Sequence, residues 1–476
     1  MNKFDSQVQL LNNRIFKTIA RYHWEEKLQE KLLDIPKELI PGKIPTMRCC
    51  VYKERAILAE RVRMAISPNK GIDENVISVI DFACDECPIS GFEVTSLCRG
   101  CLAHHCQNAC RKNAIYLDDR HTAHIDKTKC VNCGMCASRC PYGAIIDRKR
   151  PCQTACKTKA VSVSEDGSAF LDNDKCVSCG QCKFQCPFGA MVSKSYILDA
   201  IDIVKGSKDN TEYNVYAMVA PAIASQFSTN LNKVVTAIKM LGFYDVVEAA
   251  MGADIVAYEE AKELVTKGFL MNSCCPAFVK FVKNEFPDLI PYISDCLSPM
   301  ATAGKIIKEK DPTAKIIFIG PCDAKKQEIK QDEVKKYIDC VLTFEELNAI
   351  FDSKELDIDS LEETELKDAS GFGRRFASNG GVANAVKRVL DELEIPEFEV
   401  EPVVCNGLEE CRTALLQKRN GKLNGNYIEG MACPNGCIGG PGCLKHLPNG
   451  KNLLNAHADK SRYSNIKDVV IENITD

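Results

Sequence analysis

The chain has 476 residues, a net charge of −4 and 45% hydrophobic residues. Such a length suggests about two to four domains, and the hydrophobic share is ample for packed cores. The weakly acidic balance gives no reason to expect nucleic acid or an anionic membrane as partner. The opening residues M-N-K-F-D-S-Q-V-Q-L-L-N-N lack the apolar stretch of a secretory leader, and no apolar run approaches the roughly 18–20 residues that cross a bilayer. The sequence therefore predicts a cytoplasmic protein without a membrane span. Disulfides are rare in that compartment, so 28 cysteines arranged as repeated C-x-x-C units point to metal.

Residues 1–80 read as a helical N-terminal region. Leu28, Leu32 and Ile35, then Ile57, Leu58, Val62 and Ile66, recur at helical spacing among charged residues. The segment is expected to act as a cover for the cysteine-rich and α/β regions.

Residues 84–186 hold 16 cysteines. So short and Gly/Cys-rich a stretch has little core of its own, and bound clusters must supply much of its folding energy. It divides into two ferredoxin-like α+β units, 81–148 and 149–198. Two runs fit the bacterial pattern C-x2-C-x2-C-x3-C-P: Cys130, Cys133, Cys136, Cys140, and Cys176, Cys179, Cys182, Cys186. In that pattern three thiolates wrap one cube and the fourth reaches another cluster. Zinc is the poorer reading, because zinc sites pair C-x2-4-C units across a long spacer. Cys98, Cys101, Cys106 and Cys110 form a degenerate run, and Cys152 and Cys156 form its second half. The crossed-ligand rule then groups Cys98, Cys101 and Cys106 with Cys140; Cys130, Cys133 and Cys136 with Cys110; and Cys176, Cys179 and Cys182 with Cys156. Cys152 and Cys186 remain, as do Cys84 and Cys87, and these four are expected to hold a fourth accessory [4Fe–4S] cluster.

From about residue 210 to 476 the pattern is α/β. Strands are predicted at 213–220, 315–319, 398–404 and 427–431, and helices at 231–241, 255–265 and from Gly381 to Leu390. Alternation of this kind implies mostly parallel sheets flanked by helices. Three cysteine motifs fall just after strands or between a strand and a helix: N-S-C-C-P-A-F at 272–278, G-P-C-D-A-K-K-Q-E at 320–328 and M-A-C-P-N-G-C at 431–437. Ligand sites of open α/β sheets lie at such strand ends. In extended chain, neighbouring side chains point to opposite sides, so one of Cys274 and Cys275 can grip a metal while the other faces a different space.

These three motifs, with G-A-D-I-V-A-Y-E-E-A-K-E at 252–263 and S-N-G-G-V-A-N-A-V at 378–386, resemble the [FeFe]-hydrogenases over roughly residues 84–443. The resemblance implies a two-lobed catalytic domain with an active-site cluster between the lobes. Cys275, Cys322, Cys433 and Cys437 would hold a [4Fe–4S] cube. Cys437 would also bridge to a two-iron unit carrying CO, cyanide and an azadithiolate, the whole being the H-cluster. Lys325 would donate to a cyanide, with Pro321, Ala432, Met431, Ala222 and Glu328 around the unit, and Gly436, Gly439 and Gly440 letting backbone approach it. Cys274 would carry protons, its ordinary thiol pKa of about 8.5 suiting reversible transfer. Glu260, Ser298 and Glu263 would continue the relay, the two glutamates sharing one helix face, with Lys267 at its end.

The implied reaction is 2H⁺ + 2e⁻ ⇌ H₂, with electrons relayed by the accessory clusters to or from a ferredoxin or similar small carrier, and with maturation enzymes supplying the diiron unit. Two other readings stand beside it: an iron–sulfur assembly scaffold and a hydrogen sensor. Cys274, Lys325, Glu260 and Glu263 argue against a scaffold, and the short stretch after Cys443 argues against an added signalling domain. The chain departs from the family pattern at Asn272, Phe278, Gly320 and Ala222. Cys296, Cys340, Cys405, Cys411 and Cys443 are expected to be buried structural thiols.

Overall fold

The computed structural model describes residues 3–66, 75–88, 90–395 and 398–474. The C-terminal half, from about residue 213, is built on two parallel sheets. In the larger, the strand order is Asp245–Glu248, Val215–Val219, Lys315–Gly320, Cys340–Thr343. In the smaller, Tyr427–Met431 lies between Leu270–Met271 and Pro402–Asn406. The central strands are apolar without alternation: from Ile316 to Gly320 every residue is buried, as is every residue of Tyr427–Met431. Helices on both faces of a parallel sheet produce that pattern.

The long helix Ala249–Lys267 runs beside the larger sheet and packs on the helices Pro299–Lys310 and Gly381–Glu392. It begins six residues before the predicted start at 255, because Ala249, Ala250 and Ala253 have no side chain long enough to mark a periodic face. One apolar core fills the larger sheet and its helices, and a second fills the smaller.

The cysteine-rich segment folds as two small repeats. In each, an inner hairpin pairs antiparallel, Ile115–Leu117 with Ala123–Ile125 and Val161–Val163 with Ala169–Leu171. An outer pair closes each repeat: Gly91–Val94 with Ile145–Arg148, and Ile77–Val79 with Met191–Ser193. The last pair corrects one expectation. Residues 77–79 were predicted to be part of a helical region, but they are a strand, because three residues are too few to show a period and their partner lies far down the chain. In the cores of both repeats cysteines pack among small sets of Ile, Val, Ala and Leu side chains.

The remaining N-terminal segment is helical, with Gln7–Trp24 and Val51–Ile66 as its main elements. A capping box formed by Ser6 and Gln9 starts the first. This helix covers Phe344–Ser353, held by Asn13 Nδ2 donating to Asp352 Oδ2 at 2.8 Å and Gln9 Nε2 donating to the carbonyl of Cys443 at 2.9 Å. Buried charges join the second repeat to the C-terminal half. Lys183, next to Cys182, sits 3.0 Å from Asp323 and 3.4 Å from Glu345, while Lys326 contacts Glu346 at 2.9 Å. Buried ions persist only when paired in this way.

A buried thiol and carboxylate site between the two sheets

The cysteine motifs leave the carboxyl ends of three parallel strands. Cys275 and Cys322 are the N-cap residues of helices Pro276–Glu285 and Asp323–Glu328. Cys433 follows Tyr427–Met431, and Cys437 lies in the turn beyond it. The Cys275 sulfur also accepts backbone N–H groups of Ala432, Phe278 and Ala277. Helix N-termini and N–H donors both favour negative charge, as four thiolates on one iron–sulfur cube would demand.

The four thiols are mutual neighbours. Burial pushes all of them up, and so do their partners: Cys275 and Cys437 act on Cys322, and Cys322 and Cys275 act on Cys433. Buried thiols resist ionising without a cation beside them, so metal binding and thiolate formation are coupled here. Among the described residues no three His, Cys, Asp or Glu side chains converge on one point as a single-ion site requires. A four-iron cube takes its thiolates on four separate irons.

Beside this group lies a cavity of about 100 Å³, walled by Cys274, Cys437, Pro321, Lys325, Met431 and Ala432 among others. Its walls are apolar except at Lys325, whose buried ammonium is 2.6 Å from Glu328 but is not aligned with it as a hydrogen bond. A buried ammonium with unused donors facing an apolar cavity is costly unless something accepts from it. The residues therefore fit a compact anionic ligand set held between Cys437 and Lys325. Glu328 stands behind Lys325 and opens onto a separate cleft of about 1010 Å³.

One expectation about the cavity is corrected. Ala222 is buried under the sheet and does not line it; Ala220 and Pro221 do. Proline fixes the turn there, so the chain presents residues one step earlier than the motif suggested. Gly436 and Gly440 line the cavity, and at Gly440 a Cβ would also stand 2.6 Å from the carbonyl oxygen of Pro321. Phe318 was missed. Its ring occupies the space beside Gly320, 2.6 Å from where a Cβ would stand, and fills the wall that a longer residue at 320 would otherwise cover. Alternation along a strand places 318 and 320 on one face, and that was the available signal.

Cys274 also lines the cavity, and Asn272 Nδ2 donates to its sulfur at 2.9 Å. Burial, then the charges of Glu260 and Cys275, push this thiol well above its ordinary value, so it holds its proton far more firmly than an exposed cysteine. Glu260 is completely buried. Its Oε1 accepts from the Ser273 amide at 3.0 Å and its hydroxyl at 3.3 Å, and its Oε2 accepts from Tyr427 Oη at 2.6 Å. Burial pushes this carboxyl up to about 7, against those hydrogen bonds.

Further out, Glu263 accepts from Ser294 Oγ at 2.8 Å and from Lys267 Nζ at 2.5 Å. The hydroxyl beside Glu263 is thus Ser294, and not Ser298. Ser298 heads the helix Pro299–Lys310 and its side chain accepts from the Ala301 amide. A serine just before a proline that opens a helix reads as an N-cap, and that signal should have marked it as engaged. Cys296 is half-buried and lies 4.0 Å from Glu263, whereas Cys340, Cys405, Cys411 and Cys443 are buried as expected.

Among the accessory thiols, Cys106 has Cys140 and Cys101 as charge neighbours, and Cys136 has Cys130 and Cys110. Cys182 has Cys179, Cys176, Cys156 and Cys152, while Cys152 also has Cys186, Cys87 and Cys84. Cys179 in turn neighbours Cys275, and Cys433 neighbours Cys179, so the second repeat abuts the buried thiol group directly.

This arrangement defines a class: an iron–sulfur protein with repeated cluster modules feeding one buried thiol-lined pocket. Residues 213–441 match the family model "Iron only hydrogenase large subunit, C-terminal domain", residues 97–144 a 4Fe-4S dicluster domain and residues 169–192 a 4Fe-4S binding domain. Over residues 213–441, just under half of its length, the chain is similar to the iron-only hydrogenases. It is 29% identical over 322 residues to Iron hydrogenase 1 of Clostridium pasteurianum, a match covering 56% of this chain and 55% of that protein, so it spans about half the length of that relative. It is also 37% identical over 94 residues to the cytosolic Fe-S cluster assembly factor NAR1 of Kluyveromyces lactis, 20% of each chain. Among solved structures, [FeFe]-hydrogenase HydA1 of Chlamydomonas reinhardtii aligns at 22% identity and a TM-score of 0.49, over 59% of this chain and 92% of that one.

Proposed function

We propose that the protein is an [FeFe]-hydrogenase catalysing 2H⁺ + 2e⁻ ⇌ H₂ in the cytoplasm, with a ferredoxin-type carrier as electron partner. The carrying observation is the 100 Å³ cavity lined by Cys274, Cys437 and Lys325, whose ammonium is ion-paired with Glu328 and has further donors to offer. Cys275, Cys322, Cys433 and Cys437 would hold the cube, Cys437 would bridge to the diiron unit, and Lys325 would donate to its cyanide. When bound, that group supplies the redox chemistry at which protons and electrons meet.

The chain's own residues do the rest. The apolar walls exclude water, which strengthens each charge interaction inside. Cys274 holds a proton at the cavity. Glu260, poised at about 7, exchanges one on the far side. Glu263, Ser294 and Lys267 connect it to the surface. The accessory thiols would hold four [4Fe–4S] clusters, with the thiol of Cys179 neighbouring Cys275.

The relatives include an assembly factor, and the relay residues argue against that reading. A scaffold needs the cube thiols but no buried carboxylate at about 7 behind a cavity cysteine. The test is H₂ evolution from a reduced viologen on anaerobically reconstituted protein given a synthetic diiron complex. Turnover that depends on the complex is expected; clusters intact and diiron unit loaded, yet no H₂, would reject the proposal.

A further inference from the structure

Asn272 is fully buried at the end of the strand Leu270–Met271. Its Oδ1 accepts from the Gly430 amide at 2.7 Å, and its Nδ2 is 3.4 Å from the Gly430 carbonyl oxygen and 2.9 Å from Cys274 Sγ. An asparagine side chain can usually be turned over, with O and N exchanged. This one cannot, because a backbone N–H has to meet the oxygen. The nitrogen must therefore face the sulfur. It carries only hydrogens, so Cys274 can accept from Asn272 but cannot donate to it.

We propose that Asn272 is a positioning residue, which holds the Cys274 sulfur as an acceptor and so leaves the S–H hydrogen directed to the cavity side. A threonine, the residue usual at this place in the family resembled, has a hydroxyl that donates or accepts as it rotates. The asparagine removes that choice. The consequence for turnover rests on the hydrogenase reading; the orientation itself does not.

The test uses the full chain with its iron–sulfur clusters but without the diiron unit. The S–H stretching band of Cys274 is located in the infrared by difference from Cys274→Ala. It is then followed in Asn272→Asp and Asn272→Leu across pH. In the native protein the band should be narrow and near the position of a thiol that donates to nothing strong. In Asn272→Asp at alkaline pH it should shift to lower frequency and broaden, as the thiol turns to the carboxylate. At acid pH it should return, since a protonated carboxyl again donates.

With the diiron unit loaded, Asn272→Leu should lower kcat about tenfold at all pH with KM for the electron donor unchanged. Asn272→Asp should lose turnover as pH rises. A band unmoved in both variants overturns the proposal, whatever happens to turnover. A band that responds in a protein that makes no H₂ supports the orientation and tells against the hydrogenase reading alone. Asn272→Asp has the shape of the native residue, so the test survives if Asn272→Leu does not fold.

Discussion

Tyr427 Oη donates to Glu260 Oε2 at 2.6 Å, tying the middle strand of the smaller sheet to the helix that carries both relay carboxylates. The contact crosses 167 positions of sequence and is completely buried. It holds the carboxyl lower than burial alone would, because the phenol favours the ionised form.

Tyr427→Phe should accordingly raise the Glu260 pKa above about 7 and move the alkaline limb of turnover upward. Losing a hydrogen bond to a buried carboxylate should also cost about 1–3 kcal/mol in urea unfolding. The sign with pH is set by linkage. Glu260 is raised from 4.5 to about 7, so the folded state binds more protons in that interval and stability falls as pH rises through it. Glu260→Gln should flatten part of this fall. Asp254, raised to about 7, and Glu429, raised to about 6, keep the remainder. An unchanged slope in Glu260→Gln would show that Glu260 is not the titrating group.

The two serines of I-S-D-C-L-S-P should separate cleanly. Ser294→Ala removes the hydroxyl that donates to Glu263 and should depress turnover at least tenfold, with little change in stability. Ser298→Ala removes a helix cap and should cost about 1 kcal/mol of stability with turnover largely kept. The reverse pattern, from steady-state rates and urea titrations, would restore Ser298 to the relay.

Cys152→Ser tests the fourth accessory cluster. Its thiol is pushed up to about 11 by burial and then by Cys186, Cys87 and Cys84, the other three members of the group. Loss of one ligand from a cube should remove about four irons per chain and one cluster signal from the electron paramagnetic resonance spectrum. Iron content equal to that of the native protein would mean that these four thiols hold no cube.

The sequence by itself determined the covalent pattern of the site. The spacings of Cys130, Cys133, Cys136 and Cys140 and their repeat dictate how chain wraps a cluster, because ligand spacing is a local property. It also located the strands ahead of the second and third cysteine motifs, since buried parallel strands are unbroken apolar runs, with Tyr427–Met431 matching to the residue, but not the two-residue strand Leu270–Met271 ahead of the first.

Tertiary structure decided what depends on distant partners. Ile77–Val79 is a strand only because Met191–Ser193 lies beside it. Ser294 and Ser298 look alike in sequence, and only the position of Glu263 separates the donor from the cap. Asn272 looked like a departure from the family pattern until the Gly430 amide fixed which of its atoms meets Cys274. Glu260 and Glu263 share a helix face, yet one is poised at about 7 and the other is paired with Lys267. Periodicity can report which face a residue occupies. Desolvation and hydrogen-bond direction, which set what that residue does, arise only when the other sheet closes over it.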